Sequence, residues 1–306
     1  MKVTVLTGGV GGAKFVLGLA QCPQVSDLTA VVNTGDDFRH LGLAISPDID
    51  TLLYTLSGQD NPVQGWGRAG ESWNFMAQLR ALGGPGWFNL GDGDLALHVL
   101  RGARLAQGEP LSAIVAHFAQ SWGIAARVLP MSDDPVATWL DTDAGALPFQ
   151  SYFVELQCAP QVRAVRFEGA AAAQPAPGVV EAIRDADALF IAPSNPWLSI
   201  DPLLAIPGIA AALQQAKAPL VVISPLVGGT AVKGPTAKLI AEFGLAPTNA
   251  VIAEHYTGLI AGMVHDVSDA PPPALPALAT ATLMQTLEDK RHLAGEALVF
   301  ALGLAR

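Results

Sequence analysis

Apolar and polar positions along this chain alternate between two kinds of block. One kind is a short aliphatic and β-branched run closed by glycine, asparagine or proline: Val3, Val5 and Leu6 form the first, and others lie at 28–33, 188–192 and 219–224. Runs of roughly four to eight such residues, bounded by turn formers, read as buried strands. The other kind has helical spacing. Phe15, Val16 and Leu19 follow the first run, and the blocks 47–57, 202–212 and 233–243 follow the others. Strand-like runs alternating with helical ones predict parallel strands joined by crossover helices, hence an α/β fold with a mainly parallel sheet whose first strand is central. Between 59 and 122 the pattern is mostly helical (WNFMAQLRAL, LALHVLRGARLA, LSAIVAHFAQSW), which predicts a helical insertion packed over the mouth of the sheet. Residues 137–167 read as short strands with a hairpin around Asp143-Ala144-Gly145, while 169–178 and 270–279 read as surface connections. The chain closes with a helix whose Ala294, Ala297, Leu298 and Ala301 share one stripe.

Composition narrows the picture. A chain of 306 residues, 51% hydrophobic and 14% charged, can bury a sizeable core. No apolar run reaches the length of a membrane span and the first residues lack a signal-peptide layout, so the expectation is a cytoplasmic protein with no membrane partner. A net charge of −10 argues against non-specific nucleic-acid binding, though not against one anionic nucleotide in a local pocket. Cys22 and Cys158 stand alone and the six histidines are scattered, so no zinc site is suggested.

Three stretches carry candidate chemistry. In Thr7-Gly8-Gly9-Val10-Gly11-Gly12-Ala13, a glycine-rich turn joins the first strand to a helix. Backbone amides there can approach a phosphate, and the helix N-terminus favours its charge. The spacing is neither of the common nucleotide fingerprints, which would need glycine at Lys14, or glycine at Ala13 with Ser/Thr at Phe15. A tight turn without a ligand stays open, and Lys14 could serve a phosphate or only a solvated face. The second stretch places Asn33-Thr34-Gly35-Asp36-Asp37 at the carboxyl end of a strand, the edge where parallel sheets bind ligands. A helix follows, with Ser46 suited to its N-cap and Pro47 to its first position, and with Asp48 and Asp50 in its first turn. Macrodipole complementarity is one reading of those two aspartates. The other makes Asp36, Asp37, Asp48 and Asp50 candidate magnesium ligands, or Asp50 a base. The third stretch, Pro193-Ser194-Asn195-Pro196, follows the apolar run ALFIA and offers groups that could hydrogen-bond a guanine or a phosphate. Asp92 and Asp94 precede a helix and could simply cap it, and His98 lies one turn on. The turn at Ser224-Pro225 and Gly228-Gly229, with Lys233 and Lys238 beyond it, reads equally as an ordinary loop.

The blocks GGVGGAK, NTGDD, ISPDIDTLLYTL, LGDGDLALH, LPMSDDPVATWL, PSNPWLSIDPLLAIPGI and SPLVGGTAVKGPTAKL, in this order from Met1 to about Tyr256, resemble the successive motifs of the 2-phospho-L-lactate transferase family. The resemblance implies one domain over 1–306, Rossmann-like, with the helical insertion at 59–122 and a small β-hairpin region. It implies a magnesium-dependent enzyme of coenzyme F420 biosynthesis. The donor would be a diphospho-guanosine carrying lactate, enolpyruvate or glycerate; the acceptor would be the terminal ribityl hydroxyl of 7,8-didemethyl-8-hydroxy-5-deazariboflavin (FO); GMP would leave. A homodimer is implied too. The resemblance carries Asp50, as the catalytic residue, and Asn89 over to the FO side, with Asp92 and His98 as further FO candidates, while the nucleotide candidates are those of the two loops: Gly8, Gly9, Gly11, Gly12, Lys14, Ser194 and Asn195. Two positions depart from the family pattern: Asn89 stands where a longer, often basic residue is usual, and Gly93 stands where many members have arginine. A non-catalytic nucleotide- or sugar-nucleotide-binding regulator similar to the gluconeogenesis factor is the alternative. Those proteins tend to follow NTGDD with a Gly/Ser-rich segment, and this chain continues FRHLGLAISPDIDTLLY. A NAD-dependent dehydrogenase is disfavoured by the glycine spacing and by Asn33 where an acidic residue belongs.

Overall fold

The computed structural model describes residues 1–304 apart from Val63 and Lys233. In chain order the elements are β1 (Lys2–Thr7), α1 (Gly9–Ala20), β2 (Asp27–Val32), β3 (Phe38–His40), β4 (Leu43–Ile45), α2 (Pro47–Ser57), α3 (Asn74–Ala81), α4 (Asp92–Ala106) and α5 (Leu111–Ser121). There follow β5 (Arg127–Pro130), β6 (Ala137–Thr142), β7 (Gly145–Pro148), β8 (Val162–Glu168), α6 (Val179–Arg184), β9 (Ala188–Ile191), α7 (Asp201–Leu204) and α8 (Pro207–Gln215). The chain ends with β10 (Leu220–Ile223), β11 (Leu226–Val227), β12 (Thr230–Ala231), α9 (Thr236–Glu242), α10 (Asn249–His255), β13 (Gly262–Asp266), β14 (Ala277–Thr280) and α11 (Leu287–Leu304).

Seven strands form one sheet in the order β14-β13-β10-β9-β1-β2-β5, every neighbour parallel. Strands β9, β10 and β13 are buried at each position, because helices cover both faces of the sheet. On one face the core gathers Phe15, Val16 and Leu19 of α1 with Leu52 and Leu53 of α2, Ile114 of α5 and Leu293 of α11. On the other it gathers Ile183 of α6, Ile209 of α8 and Ile252 of α10. From β1 the chain builds outward through β2 and β5, then returns to β9 on the opposite side of β1 and builds outward again. The loops after β1 and β9 therefore flank the reversal of strand order, the place where such sheets open a ligand crevice.

The predicted closing stripe of Ala294, Ala297, Leu298 and Ala301 is buried in α11. It lies against α1, where a β-carbon on Gly18 would stand 2.1 Å from the Lys290 carbonyl oxygen. The hairpin at 143–145 joins β6 to β7, and β8 completes a three-stranded antiparallel sheet.

Several expectations need correction. The helix expected over 202–212 is broken: a π-helical turn, Pro196–Ile200, leads into α7, and α8 restarts at Pro207, whose ring cannot continue the preceding helix. The block at 233–243 becomes helical only from Thr236, after Pro235, and Lys233 lies outside the described residues. The stretch 169–178 is the expected connection, half of it exposed, but Ala170, Ala173 and Ala176 turn inward and are buried in the core. The stretch 270–279 runs into β14, an edge strand of the main sheet. In the insertion, the described residues of 59–73 hold no helix, and α5 packs on β5 in the central core rather than over the mouth. Helix α3 packs instead with the β3–β4 hairpin around Ile45, Met76 and Leu90. Among the described helices, no single one is long and apolar enough to cross a membrane.

Candidate active site

A cavity of about 740 Å³ opens along the carboxyl edge of the sheet, reached by the loops after β1, β2, β9 and β10. Its first wall is the glycine turn. Gly8, Gly9, Val10, Gly11 and Lys14 line it, facing Pro193, Ser194 and Asn195. The two loops touch: Ser194 Oγ donates to the Gly8 carbonyl at 2.7 Å, and a β-carbon on Gly11 would stand 2.5 Å from the Pro193 carbonyl oxygen. Gly12 turns away from the cavity, packed against Thr7 and Ser194. Not every amide of the turn is open, for Gly9 N–H already donates to Asp48 Oδ1 at 2.8 Å. Val10 and Gly11 carry the next amides of the first turn, which no intrahelical carbonyl can accept. Asn195 Oδ1 caps the following turn by accepting from the Trp197 and Leu198 amides, while its buried Nδ2 has no partner. Lys14 Nζ donates to the Met284 carbonyl at 2.9 Å.

Four carboxylates sit below this wall in two pairs. Asp36 and Asp48 line the cavity around Asn33, whose Nδ2 donates to Asp48 Oδ2 at 3.0 Å. Burial pushes the Asp36 carboxyl well above its usual range, the charge of Asp48 adds to this, and Asp36 Oδ1 is buried without a partner. Burial also lifts Asp48, to about 6, against the opposing bonds from Asn33 and Gly9. Asp37 and Asp50 lie instead on the Arg101 side. Asp37, raised by burial, accepts from Ser46 Oγ at 2.6 Å and does not line the cavity. Asp50 lines it, and both its oxygens accept from Arg101, through Nη1 at 3.1 Å to Oδ2 and through Nη2 to Oδ1.

Helix α4 supplies the neighbours of Asp50. His98 is buried, with Nδ1 3.7 Å from Asp50 Oδ2 and Nε2 3.1 Å from Asp94 Oδ2. Tyr54 Oη donates to Asp94 Oδ1. Burial alone would raise Asp94, but the bond from His98 and the phenol of Tyr54 hold it below its usual range. Four aromatic rings also line the cavity: Trp66 and Phe88, and Phe149 with Phe153 on either side of Gln150, whose Nε2 donates to the Asp36 carbonyl. The Phe149 and Phe153 rings stack at 5.2 Å.

Asn89 lines the cavity and its Oδ1 accepts from Arg80 Nη2 at 2.7 Å, which places a positive charge directly behind it. Asp92 does not reach the cavity. It caps the first turn of α3, accepting from Ser72 Oγ, from Asn74 and from the Phe75 amide, and these bonds lower it to about 2. The expected FO contact at Asp92 is thus replaced by capping of a neighbouring helix. At Gly93 a β-carbon would stand 2.2 Å from Arg68 Nη1, so the guanidinium of Arg68 fills the space of a side chain at 93. Glu71 lies between Gly91 and Gly93, where its Oε2 accepts from the Gly93 amide at 2.6 Å. Sequence reasoning missed Arg101, Tyr54 and the aromatic rings. Arg101 had a signal, since Asp94, His98 and Arg101 fall at helical spacing on one face of α4.

Comparison with known proteins follows the same lines. A family described as "2-phospho-L-lactate transferase CofD" matches residues 3–294. A protein named phosphoenolpyruvate transferase from Streptomyces griseus is 45% identical over 276 residues, covering 88% of this chain and 87% of the relative. One of the same name from Mycolicibacterium smegmatis is 41% identical over 288 residues, covering 87% of this chain and 88% of its own. A crystal structure of a UPF0052 family protein from Bacillus halodurans superposes with a TM-score of 0.65 at 18% identity, covering 97% of this chain and 98% of that one, a likeness of fold. With nearly the whole length matched and the motif loops gathered at one sheet edge, the chain belongs to the 2-phospho-L-lactate transferase family.

Proposed function

We propose that this enzyme transfers a phosphoenolpyruvyl, phospholactyl or phosphoglyceryl group from a diphospho-guanosine donor to the ribityl hydroxyl of FO, releasing GMP and forming coenzyme F420-0 or a relative. The observation that carries the reading is the divided lining of the cavity. One part of it presents the N-terminus of α1 and the free Asn195 amide; another presents the Asp50 carboxylate, and the aromatic rings of Trp66, Phe88, Phe149 and Phe153 line the same cavity. The first part suits a diphosphate, because unpaired amides and the helix dipole oppose its charge. The second, with the rings, suits a flat heterocycle with a hydroxyl tail. In the transfer the hydroxyl oxygen bonds to the phosphorus that bears the three-carbon acid, the bond from that phosphorus to the bridging oxygen of GMP breaks, and the hydroxyl proton is lost.

Asp36 and Asp48 suit a magnesium ion. They are adjacent buried carboxylates, each raised by burial, and Asp36 Oδ1 has no partner. Among the described residues no group of three His, Cys, Asp or Glu side chains could hold a metal, so donor phosphate oxygens would complete the shell. Magnesium bound there would neutralise charge on the phosphates. Asp50 accepts the FO hydroxyl and orients it. The relatives' name favours enolpyruvate as the transferred acid.

Incubation with FO, magnesium and each of the three guanosine donors, followed by mass analysis, tests this reading. The expected product carries FO plus the phosphorylated acid, with an equal amount of GMP. Nucleotide binding without any product would replace the enzyme by a nucleotide-binding regulator.

A further inference from the structure

The network behind Asp50 has a charged centre outside the cavity. Arg101 is 0% exposed and does not itself line the cavity, whereas Asp50, Asp94, His98 and Tyr54 all do. Its guanidinium donates to both oxygens of Asp50 and to the Ala44 carbonyl at 3.2 Å, while its Nε is buried without a partner. Burial opposes a charge here, yet Asp50 and the bonds to it outweigh burial and raise Arg101 above its usual value. A buried ion pair with an orphaned donor is a poor way to gain stability, since apolar packing commonly does as well. It is a good way to fix geometry. The planar fork sets both carboxylate oxygens in one plane and one rotamer.

We propose that Arg101 is a positioning residue: it clamps Asp50 from behind, so that the carboxylate lone pairs left facing the cavity orient the acceptor hydroxyl for attack. The inference rests on the acceptor role given to Asp50 above. His98 stands beside the clamp, its Nδ1 3.5 Å from Arg101 Nη1 and its Nε2 3.1 Å from Asp94, whose other oxygen takes the Tyr54 phenol. The clamp thus belongs to a row of four cavity-lining groups that share one charged anchor outside the cavity.

The test compares Arg101→Met, Arg101→Lys, Asp50→Asn and the Asp50→Asn/Arg101→Met double variant in the full chain. Turnover is measured with FO and guanosine donor, and GDP affinity by calorimetry. Arg101→Met should lower kcat about 10²-fold while GDP affinity stays within about twofold, because the clamp acts on the acceptor alone. Lysine keeps the charge without the fork, so Arg101→Lys should recover about tenfold of that loss. The double variant should lose no more than the worse single, as expected for two residues acting through one function. Near-wild-type kcat in Arg101→Met, losses that multiply in the double variant, or GDP affinity falling in step with kcat would each overturn the proposal. Where Arg101→Met does not fold, Arg101→Lys combined with Asp50→Asn gives the same comparison. Wild-type protein that does not turn over FO would overturn the functional reading and the clamp with it. A defect confined to the Arg101 cycle bears on the clamp alone.

Discussion

Asp50→Asn is nearly isosteric, but it has two separable effects. It removes a charge that faces the cavity, and it leaves the buried Arg101 guanidinium without its carboxylate. The first effect should lower kcat roughly 10²-fold. The second should cost about 3–5 kcal/mol, the usual result of breaking a buried pair from one side, so Tm should fall as well. Activity must therefore be compared well below the lowered Tm; kcat near wild type there would exclude Asp50 from the transfer step. Asp48 gives the opposite sign. Its folded value of about 6 lies above its ordinary 3.8, so the native state holds the proton more tightly than the unfolded chain does. The stability it supports is present at low pH and is lost as pH rises from about 4 to about 6, amounting to roughly 3 kcal/mol. Urea unfolding at pH 4.5 and pH 7 without divalent cations should show Asp48→Asn gaining on wild type at the higher pH, and magnesium should narrow that gap. An unchanged difference between the two pH values would contradict it. The acidic positions were legible because a loop and a helix start concentrate aspartates within a few residues. Arg101 was legible only as a position sharing the α4 face of Asp94 and His98; an arginine on an amphipathic helix reads as solvated face, and only the fold shows that α4 turns it toward Asp50.

Among the elements, α2 begins and ends where the sequence places it. Ser46-Pro47 opens it, and Gly58 closes it with a φ of 70°. Elsewhere composition told only part: 169–178, rich in alanine, proline and glycine, is the loop it reads as, yet Ala170, Ala173 and Ala176 fill the core beside α6. Two glycines separate the mechanical work of α1 from its chemical work. At Gly18 an added methyl meets a carbonyl of α11, a rigid obstacle, so Gly18→Ala should destabilise by about 1–3 kcal/mol and leave GDP affinity intact. At Gly11 the methyl meets the Pro193 carbonyl and pushes the two wall loops apart, so Gly11→Ala should weaken GDP binding about tenfold or more. Chemical denaturation and calorimetry on both variants check the pair. Equal GDP affinities would remove the loop pair from the nucleotide site.

At the scale of the whole molecule, the parallel sheet was readable from alternation but its strand order was not. Periodicity reveals strands and is silent on which strands are neighbours. The reversal between β1 and β9 is what brings residues from both halves of the chain to one cavity. The fold persists at 18% identity in the Bacillus halodurans protein, so the sheet tolerates change that a site need not. Because one ligand would bridge the two wall loops, binding should stabilise the entire domain. GDP with magnesium at about 100 times its Kd should add about 2.7 kcal/mol, seen as a rise in Tm that shrinks when magnesium is removed. No shift with GDP at saturating magnesium would count against nucleotide binding in the cavity.

The space above Gly93 has a consequence for descent. A side chain at 93 and the guanidinium of Arg68 claim the same volume, over a Glu71 carboxylate that both glycines of LGDGD make room for. A lineage that exchanges glycine for a larger residue at 93 therefore displaces the Arg68 guanidinium, the outer end of a partly exposed and flexible side chain, from its place beside Glu71. Separate in sequence, the two positions draw on one volume, so what stands at 93 sets where the charge at 68 can rest.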